Sequence, residues 1–358
     1  LIVGGFGWSA ESARALQRFA EGWQLPVAAG FRFQDSFDNR HPLYVGDLGL
    51  GVSAKLAQRV RDADLLLAVG VRLGEVTTGG YKLMEVPRPR QKLVHLHAGA
   101  EELGRVYAAD LLLQCACALA GTALETVQPP PDVPPETMPW AAWTAAIQAE
   151  HAAQLEAPAV SPLDLAQVVL TMQRCAPEDA IFTNGAGNFT GWLHRYVRYP
   201  GLQHHGRTQL APTSGAMGYG LPAAVAASLL EPSRTVLNLA GDGDFLMNGQ
   251  ELATAMAYGA KKLVCVLVDN GSYGTIRMHQ ERHYPQRVSG SALRNPDFVQ
   301  LARAYGWRAE RVERTEQFEP AFVAALASQQ PTLLHLPHDP EIISSRATLA
   351  KIRGAAAR

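Results

Sequence analysis

Residues 236–245 read VLNLAGDGDF and combine an apolar strand with a polar turn. The near-continuous apolar run 236–240 is typical of a parallel strand that is buried on both faces. Gly241 and Gly243 predict a sharp turn in which the backbone can approach a ligand closely. A helix over 248–258 and a second apolar strand over 263–268 follow, and Asp269-Asn270 comes directly after that strand. We therefore expect Asp242 and Asn270 to lie side by side at the carboxyl edge of a parallel sheet.

These two side chains predict a metal and phosphate site. Carboxylate and amide oxygens are the ligands that Mg²⁺ prefers, and Mg²⁺ usually arrives with phosphate. Backbone N–H groups in a glycine turn near a helix N-terminus attract anions. Gly-Asp-Gly alone is typical of an ordinary turn; its spacing to Asn270 favours a Mg²⁺–diphosphate site instead.

Composition restricts the class of protein. The chain has 358 residues, of which 47% are hydrophobic and 18% are charged, so it can bury large cores. A net charge of −1 argues against a nucleic-acid partner and against an anionic membrane surface. The four cysteines are scattered, which favours reduced, buried thiols and a cytoplasmic location. No run of about 18 apolar residues occurs, so we expect no membrane partner.

Alternating strand and helix patterns predict an α/β fold with two doubly wound, Rossmann-like domains and mainly parallel sheets. The first domain is expected over 1–127 and the second over 161–358. Between them, residues 128–160 contain six prolines by position 139 and predict an extended linker followed by a connecting helix. The predicted strands are 1–3, 26–29, 65–69, 93–96, 111–113, 180–183, 236–240, 263–268 and 333–336.

The start of the second domain carries helix-capping residues. Ser161 is predicted to be an N-cap, with Pro162 at the first helical position and Asp164 in the first turn. The chain itself opens within an apolar strand, which leads us to expect further sequence upstream.

Three stretches together carry a family resemblance: GAMGYGLPAA at 215–224, Gly241–Gly243 with QELAT at 250–254, and Asn270. With them, the second domain resembles the cofactor-diphosphate domain of thiamine diphosphate enzymes, specifically the acetolactate synthase and benzoylformate decarboxylase group. The first domain resembles the central domain of that group. The resemblance covers essentially the whole chain, and it is specific for the cofactor rather than for the substrate.

The resemblance implies a role for each matching residue. Mg²⁺ would be held by the side chains of Asp242 and Asn270 and by the backbone oxygen of Ser272. Met217 would be the apolar wedge under the cofactor, and the backbone oxygen of Gly215 would accept a hydrogen bond from the aminopyrimidine. The diphosphate would be lined by Gly241, Gly243, Asp244, Tyr273 and Gly274, with Gly187 and Asn188 as a second loop.

The resemblance also implies a reaction class, a thiamine diphosphate- and Mg²⁺-dependent decarboxylation or carboligation of a 2-keto acid, and a homodimer or tetramer. A lyase acting on an acyl-CoA or acyloin is an alternative. In this group a glutamate on a separate pyrimidine-binding domain activates the cofactor, and no glutamate here matches it. We therefore expect the chain to be the carboxyl-terminal part of a larger enzyme, or a subunit that pairs with a separate pyrimidine-domain chain.

Other residues leave alternatives open. FAD is one, because Arg72 lies where FAD-containing relatives place a flavin loop; the acidic residue expected near the adenosine is absent from 95–99, which disfavours FAD. Gly4–Gly7 is predicted to be a tight turn. His279 replaces the tryptophan usual in acetolactate synthases, and Arg277 is interpreted either as a binder of substrate carboxylate or as a surface charge. His204 and His205 are interpreted mainly as structural or surface residues. His279 and His283 are interpreted either as acid–base groups, because histidine titrates near neutral pH, or as solvated helix residues.

Overall fold

The computed structural model describes residues 1–156 and 162–356, and the chain divides into two compact units. Unit 1 comprises Leu1–Glu156 together with Arg198–Gln209. Unit 2 comprises the described residues of Ala157–Val197 and Leu210–Arg358. The second half of the chain therefore contributes a short segment to the first unit.

The strands are β1 (Ile2–Val3), β2 (Val27–Ala29), β3 (Tyr44–Asp47), β4 (Leu65–Val69), β5 (Lys92–His97), β6 (Leu111–Gln114), β7 (Ile181–Asn184), β8 (Gln209–Leu210), β9 (Val236–Gly241), β10 (Leu263–Asp269), β11 (Arg308–Arg311) and β12 (Thr332–Pro337). The α-helices are α1 (Ala10–Gly22), α2 (Ala54–Asp62), α3 (Cys117–Glu125), α4 (Ala141–Ala153), α5 (Leu165–Cys175), α6 (Thr190–Tyr196), α7 (Leu202–His205), α8 (Gly220–Leu230), α9 (Asp242–Asn248), α10 (Glu251–Ala257), α11 (Gly274–His283), α12 (Phe298–Ala304), α13 (Thr315–Ala327) and α14 (Leu349–Ala356).

Within the described residues the strands form two six-stranded sheets, ordered β3-β2-β1-β4-β5-β6 and β11-β12-β10-β9-β7-β8. The strand pairs whose register is defined are parallel. α-Helices connect most of these strands along the chain, as is usual for parallel strands, although none lies between β2 and β3, between β4 and β5 or between β5 and β6 in this described part of the chain. The predicted fold class, two doubly wound α/β domains, is confirmed. The short strands β3, β8 and β11 were not predicted, because they lack a continuous apolar run.

The centre of the second sheet is almost wholly apolar. Residues of β9 are buried throughout, and β10 is buried up to Val268. Val236, Leu263 and Cys265 belong to a core cluster that also includes side chains of α8. This burial fixes the two strands in register, so that the polar residues after each strand emerge at one edge.

The glycine turn after β9 differs from the sequence prediction. Gly241 is the N-cap, and α9 begins at Asp242 without an intervening loop. The helix predicted over 248–258 is present in shorter form as α10, Glu251–Ala257. Asp242 and Asp244 both lie in the first turn of α9, where negative side chains are stabilised by the helix dipole.

The start of α5 also differs. The predicted cap Ser161 lies outside the described residues, and the helix begins at Leu165 rather than at Pro162. Asp164 is the N-cap, and its Oδ1 accepts a hydrogen bond from the backbone N–H of Ala166 at 2.8 Å. The four cysteines are free thiols, two of them buried. In the described ranges, no helix combines the length and the apolar character needed to cross a membrane.

Candidate active site

The strand ends of the second sheet open into a cleft in unit 2. The predicted site residues that line it are Gly187, Asn188, Met217, Gly241, Asp242, Gly243, Asp244, Asn270, Ser272, Tyr273 and Gly274. Gly215 is the exception: it lies two residues before Met217 and is not among the lining residues. Lining residues that the sequence did not indicate include Phe189, Trp192, His338 and Ile343.

Asp242 and Asp269 form a pair of adjacent carboxylates. Gly241 of β9 lies opposite Val268 of β10, so the two aspartates that follow are neighbours. The Oδ1 of Asp242 accepts a hydrogen bond from the backbone N–H of Gly243 at 2.9 Å. Burial raises the pKa of Asp242 to about 6, and the negative charge of Asp269 adds to the rise. Asp242 is 4% exposed, and no lysine or arginine pairs with it in the part of the chain that the structure describes.

Three residues behind Asp242 were not predicted from the sequence. Asn295 donates from Nδ2 to Asp242 Oδ2 at 2.8 Å and to Asp269 Oδ1 at 2.7 Å. His335 Nε2 lies 2.9 Å from Asp269 Oδ2. Burial alone would raise the pKa of Asp269, but the hydrogen bonds from His335 and Asn295 lower it. Asp269 is thus a satisfied carboxylate, whereas Asp242 lines the cleft.

Asn270 and Ser272 lie on the turn after β10. Gly271 has a φ of +64°, a left-handed conformation that glycine adopts without strain. The Oδ1 of Asn270 accepts a hydrogen bond from the backbone N–H of Ser272 at 3.1 Å. One carboxylate, one amide oxygen and one backbone carbonyl are hard oxygen donors that fit Mg²⁺, with phosphate and water completing its shell. No group of three His, Cys, Asp or Glu side chains suited to a metal occurs among the described residues.

Two glycines, Gly241 and Gly243, flank Asp242 in the chain. A Cβ atom on Gly243 would lie 2.7 Å from Tyr273 Cε1, and one on Gly241 would lie 2.7 Å from Phe189 Cδ1. Aromatic rings therefore take the space that side chains would need. Residues 241 and 243 thus carry no side chain at the start of α9, and a helix start next to a cleft favours an anion such as a diphosphate group.

Asp244, in α9, holds two loops together. Its Oδ1 accepts hydrogen bonds from the backbone N–H groups of Ala186 at 3.0 Å and of Gly218 at 2.8 Å. The carboxylate fits only because residue 185 is glycine: a Cβ there would lie 1.9 Å from the same oxygen. Asp244 lines the cleft as predicted, and it also fixes the turn after β7 and the loop that carries Met217.

Met217 is 37% exposed and projects from that loop into the cleft lining. Gly218, at a φ of +80°, accepts a hydrogen bond at its carbonyl from Asn248 Nδ2 at 2.8 Å. Gly215, at a φ of +73°, donates its N–H to Pro212 at 3.0 Å. The loop is thus fixed at both ends, and its methionine offers a polarisable apolar surface.

Thr275 connects two sides of the cleft. Its Oγ1 accepts a hydrogen bond from the backbone N–H of Asn188 and donates one to Asn188 Oδ1, both at 3.0 Å. The amide of Asn188 also donates to the sulfur of Met278 at 3.4 Å. These contacts hold the Gly187-Asn188 loop against the start of α11.

Arg277 is committed to an ion pair. Its Nε lies 3.1 Å from Glu281 Oε1 on the same helix face, and Arg353 of α14 lies 2.9 Å from that oxygen. The Arg277 side chain remains 29% exposed, and the two interpretations from the sequence, a substrate-binding cation and a surface charge, stay predictions. His279 and His283 are exposed, with parallel rings 6.2 Å apart.

His338 also lines the cleft and is 8% exposed. Its Nε2 lies 3.2 Å from the carbonyl of Ile342, and burial lowers its pKa. The ring is therefore neutral near pH 7, with Nε2 donating. Its Nδ1 is buried and has no hydrogen-bond partner in the described residues.

In unit 1, two of the loops that follow strands contact each other directly. A Cβ on Gly5 would lie 2.0 Å from the carbonyl of Gly70, so the loop after β1 packs directly on the loop after β4. Arg72 pairs with Glu102 at 2.9 Å. Neither observation points to a flavin.

Two protein-family descriptions match the chain. Residues 1–124 match "Thiamine pyrophosphate enzyme, central domain", and residues 185–336 match "Thiamine pyrophosphate enzyme, C-terminal TPP binding domain", where thiamine pyrophosphate is another name for thiamine diphosphate. The chain therefore belongs to the thiamine pyrophosphate enzymes.

Its relatives are named more specifically. The chain is similar to the acetolactate synthase large subunit of Parasynechococcus marenigrum, with 32% identity over 93% of this chain and 53% of the relative. It is 30% identical to the acetolactate synthase isozyme 2 large subunit of Escherichia coli, over 95% of this chain and 59% of the relative. A probable acetolactate synthase large subunit of Methanocaldococcus jannaschii is 26% identical, over 95% and 57%. The chain thus spans between half and three-fifths of the length of these relatives.

Proposed function

We propose that the whole protein is a thiamine diphosphate- and Mg²⁺-dependent enzyme that acts on a 2-keto acid, by decarboxylation or by acetolactate synthase-like carboligation. One observation carries the proposal. A buried carboxylate, Asp242, has no cationic partner in the described residues and stands beside Asn270 at a glycine-rich helix start. Burying an unpaired carboxylate is costly, and a bound divalent cation would remove that cost.

In this proposal each group of the cleft has a distinct task. Asp242, Asn270 and the backbone oxygen of Ser272 hold Mg²⁺, and Met217 supports the cofactor rings. The diphosphate lies against the backbone at Gly241, Gly243, Asp244, Tyr273 and Gly274, with Gly187 and Asn188 on the other side. Bound thiamine diphosphate supplies the nucleophilic carbon and the electron sink for the loss of CO₂. The chain's own contribution is to fix orientation, supply oxygen ligands and exclude water with Phe189, Trp192 and Ile343.

The remaining proposals concern organisation. We propose a central domain over 1–127, a linker with a connecting helix over 128–160, and a cofactor-diphosphate domain over 161–358. Homodimers or tetramers are proposed because, in this group, the cofactor bridges the diphosphate domain of one subunit and the pyrimidine domain of another. The free thiols of all four cysteines support a reducing compartment such as the cytoplasm.

The test uses the full-length natural protein with a panel of 2-keto acids. Release of CO₂ and formation of acyloin or acetolactate are followed with and without thiamine diphosphate and Mg²⁺. We expect turnover that requires both. Calorimetry should show thiamine diphosphate binding that is lost when EDTA removes the metal. Tight binding without turnover of any 2-keto acid would favour a lyase substrate, and absence of Mg²⁺-dependent binding would overturn the proposal.

A further inference from the structure

Asp242 and Asp269 are adjacent carboxylates at the proposed metal position. Asp242 is 4% exposed, and the side chain of Asp269 is 18% exposed. Two neighbouring anions of this kind repel each other strongly where water is scarce. A stable arrangement therefore needs a group that donates hydrogen bonds to both of them.

Asn295 is that group. Its single Nδ2 carries two hydrogens, and it lies 2.8 Å from Asp242 Oδ2 and 2.7 Å from Asp269 Oδ1. Only this orientation of the amide is consistent with two carboxylate acceptors. Being neutral, Asn295 separates the carboxylates without cancelling the charge of either one. The Oδ1 of Asn295 is buried and has no hydrogen-bond partner within residues 1–156 and 162–356, so its amide serves here as a donor.

The backbone holds Asn295 in place from both sides. Before it, the segment pairs with the turn after β10: Tyr273 N–H donates to Ser291 at 2.9 Å, and Leu293 N–H donates to Gly271 at 2.8 Å. After it, Pro296 favours an extended backbone at residue 295. Phe298 then anchors α12, being fully buried with its ring centroid 5.7 Å from that of Phe245 in α9.

Besides the bond from Asn295, Asp269 accepts more hydrogen bonds than Asp242 does. Asp269 also receives hydrogen bonds from His335, at 2.9 Å, and from the backbone N–H of Gly271, at 3.1 Å. Apart from Asn295, Asp242 receives only the N–H of Gly243 in the described chain. The orientation of the cleft-lining carboxylate thus depends mainly on Asn295.

We infer that Asn295 is a positioning residue, which aims the Asp242 carboxylate at the Mg²⁺–diphosphate group and keeps it apart from Asp269. The inference rests on the proposed function. It also assigns separate roles to these residues: Asp242 and Asn270 contact the metal, and Asn295 acts on the metal site through Asp242.

The experiment measures thiamine diphosphate binding by calorimetry across a series of Mg²⁺ concentrations, in the full-length protein. Asn295→Ala removes the donor, and the Mg²⁺ concentration needed for half-maximal binding should rise about tenfold or more, as expected for a lost hydrogen bond to a charged group. Saturating Mg²⁺ should restore most of the binding. Asn295→Asp, which keeps the size but adds a third carboxylate, should raise that concentration further.

Asn39 in unit 1 provides a matched control. Its Nδ2 also donates two hydrogen bonds, to the carbonyls of Gln34 and Phe37, both at 2.8 Å. Asn39→Ala should lower the free energy of unfolding without changing the Mg²⁺ dependence. Manganese bound in place of Mg²⁺ gives an independent readout, because its electron paramagnetic resonance spectrum should change in Asn295→Asp and not in Asn39→Ala.

The outcomes separate the two hypotheses. Wild-type protein without Mg²⁺-dependent binding would contradict the proposed function. Wild-type binding with the same Mg²⁺ dependence in Asn295→Ala and Asn295→Asp would overturn the positioning role alone. If the alanine variant does not fold, the isosteric aspartate variant decides the question.

Discussion

Asp242 and Glu281 are both buried carboxylates of unit 2, but their surroundings shift their pKa values in opposite directions. Glu281 is 0% exposed, lies between Arg353 and Arg277, and has its pKa lowered to about 2, chiefly by the hydrogen bond from Arg353. Asp242 has only neutral donors, and burial raises its pKa to about 6. The fold thus supplies arginines to Glu281, whereas under the proposed function the cation for Asp242 would be a bound Mg²⁺.

Asp242→Ala tests the cleft side of this contrast and should have the largest effect. Because the only carboxylate among the proposed metal ligands is lost, Mg²⁺-dependent thiamine diphosphate binding should fall by more than about 100-fold, beyond the loss of a single charged hydrogen bond. Calorimetry on the full-length protein measures this. Glu281→Gln serves as the control and should retain the Mg²⁺ dependence. Unchanged affinity in Asp242→Ala would remove the distinction between the two carboxylates.

Glu281→Ala tests the structural side. Removing this carboxylate leaves Arg277 and Arg353 without their shared partner, and breaking a buried ion pair is strongly destabilising. Since both arginine side chains are about a third exposed, we expect the lower end of that range, about 3 kcal/mol. Urea unfolding measures the loss. A loss below about 1 kcal/mol in the free energy of unfolding would show that Glu281 contributes no more than an ordinary surface ion pair.

The pH dependence of stability follows from the lowered pKa of Glu281. The unfolded chain binds a proton at this residue near pH 4.5, whereas the folded chain resists protonation down to about pH 2. The stabilisation is therefore complete above pH 4.5 and is lost as the pH falls toward 2. Urea unfolding of the wild type and of Glu281→Gln should show a difference that shrinks over this window. A difference that is constant from pH 5 to pH 2 would contradict the assignment.

Thr275→Val should have the smallest effect. The substitution keeps the shape and removes the hydroxyl that contacts Asn188 twice at 3.0 Å. We expect a loss of about 1 kcal/mol in thiamine diphosphate binding, or roughly fivefold in affinity, because a loop at the cleft loses its attachment. Calorimetry at saturating Mg²⁺ separates this effect from a metal effect. An equal loss in Asp242→Ala and Thr275→Val would show that loop order, rather than metal binding, dominates.

The sequence predicted those parts of the site that follow strands. Apolar runs locate β9 and β10, and parallel strands present their carboxyl ends at one edge, so Asp242 and Asn270 could be placed in advance. Asn295 could not be placed, because it lies in an irregular segment with no periodicity, and an antiparallel bridge between Ser272 and Ala292 brings it back to the cleft. The position of Asn295 in the sequence does not indicate that its segment returns to the cleft.

Two features of the structure had signals in the sequence. Arg277 and Glu281 are four positions apart on α11, a spacing at which opposite charges pair. The helix start at Asp242 was indicated by two acidic residues two positions apart, Asp242 and Asp244, which suit a first helical turn better than an isolated loop. The glycines of the turn obscured that pattern, because they weaken helix propensity.

The segment Arg198–Gln209 has a consequence for dividing or recombining the chain. It follows unit 2 residues in sequence, yet it folds with unit 1, where Arg207 and the N–H groups of Thr208 and Gln209 surround the fully buried carboxylate of Asp35. Proteolysis anywhere within 157–161 would therefore not release an intact first unit, because twelve residues of it would stay with the other fragment. Exchange of whole domains between relatives meets the same restriction: a chimera joined at the linker would need to carry residues 198–209 from the parent that supplies Asp35.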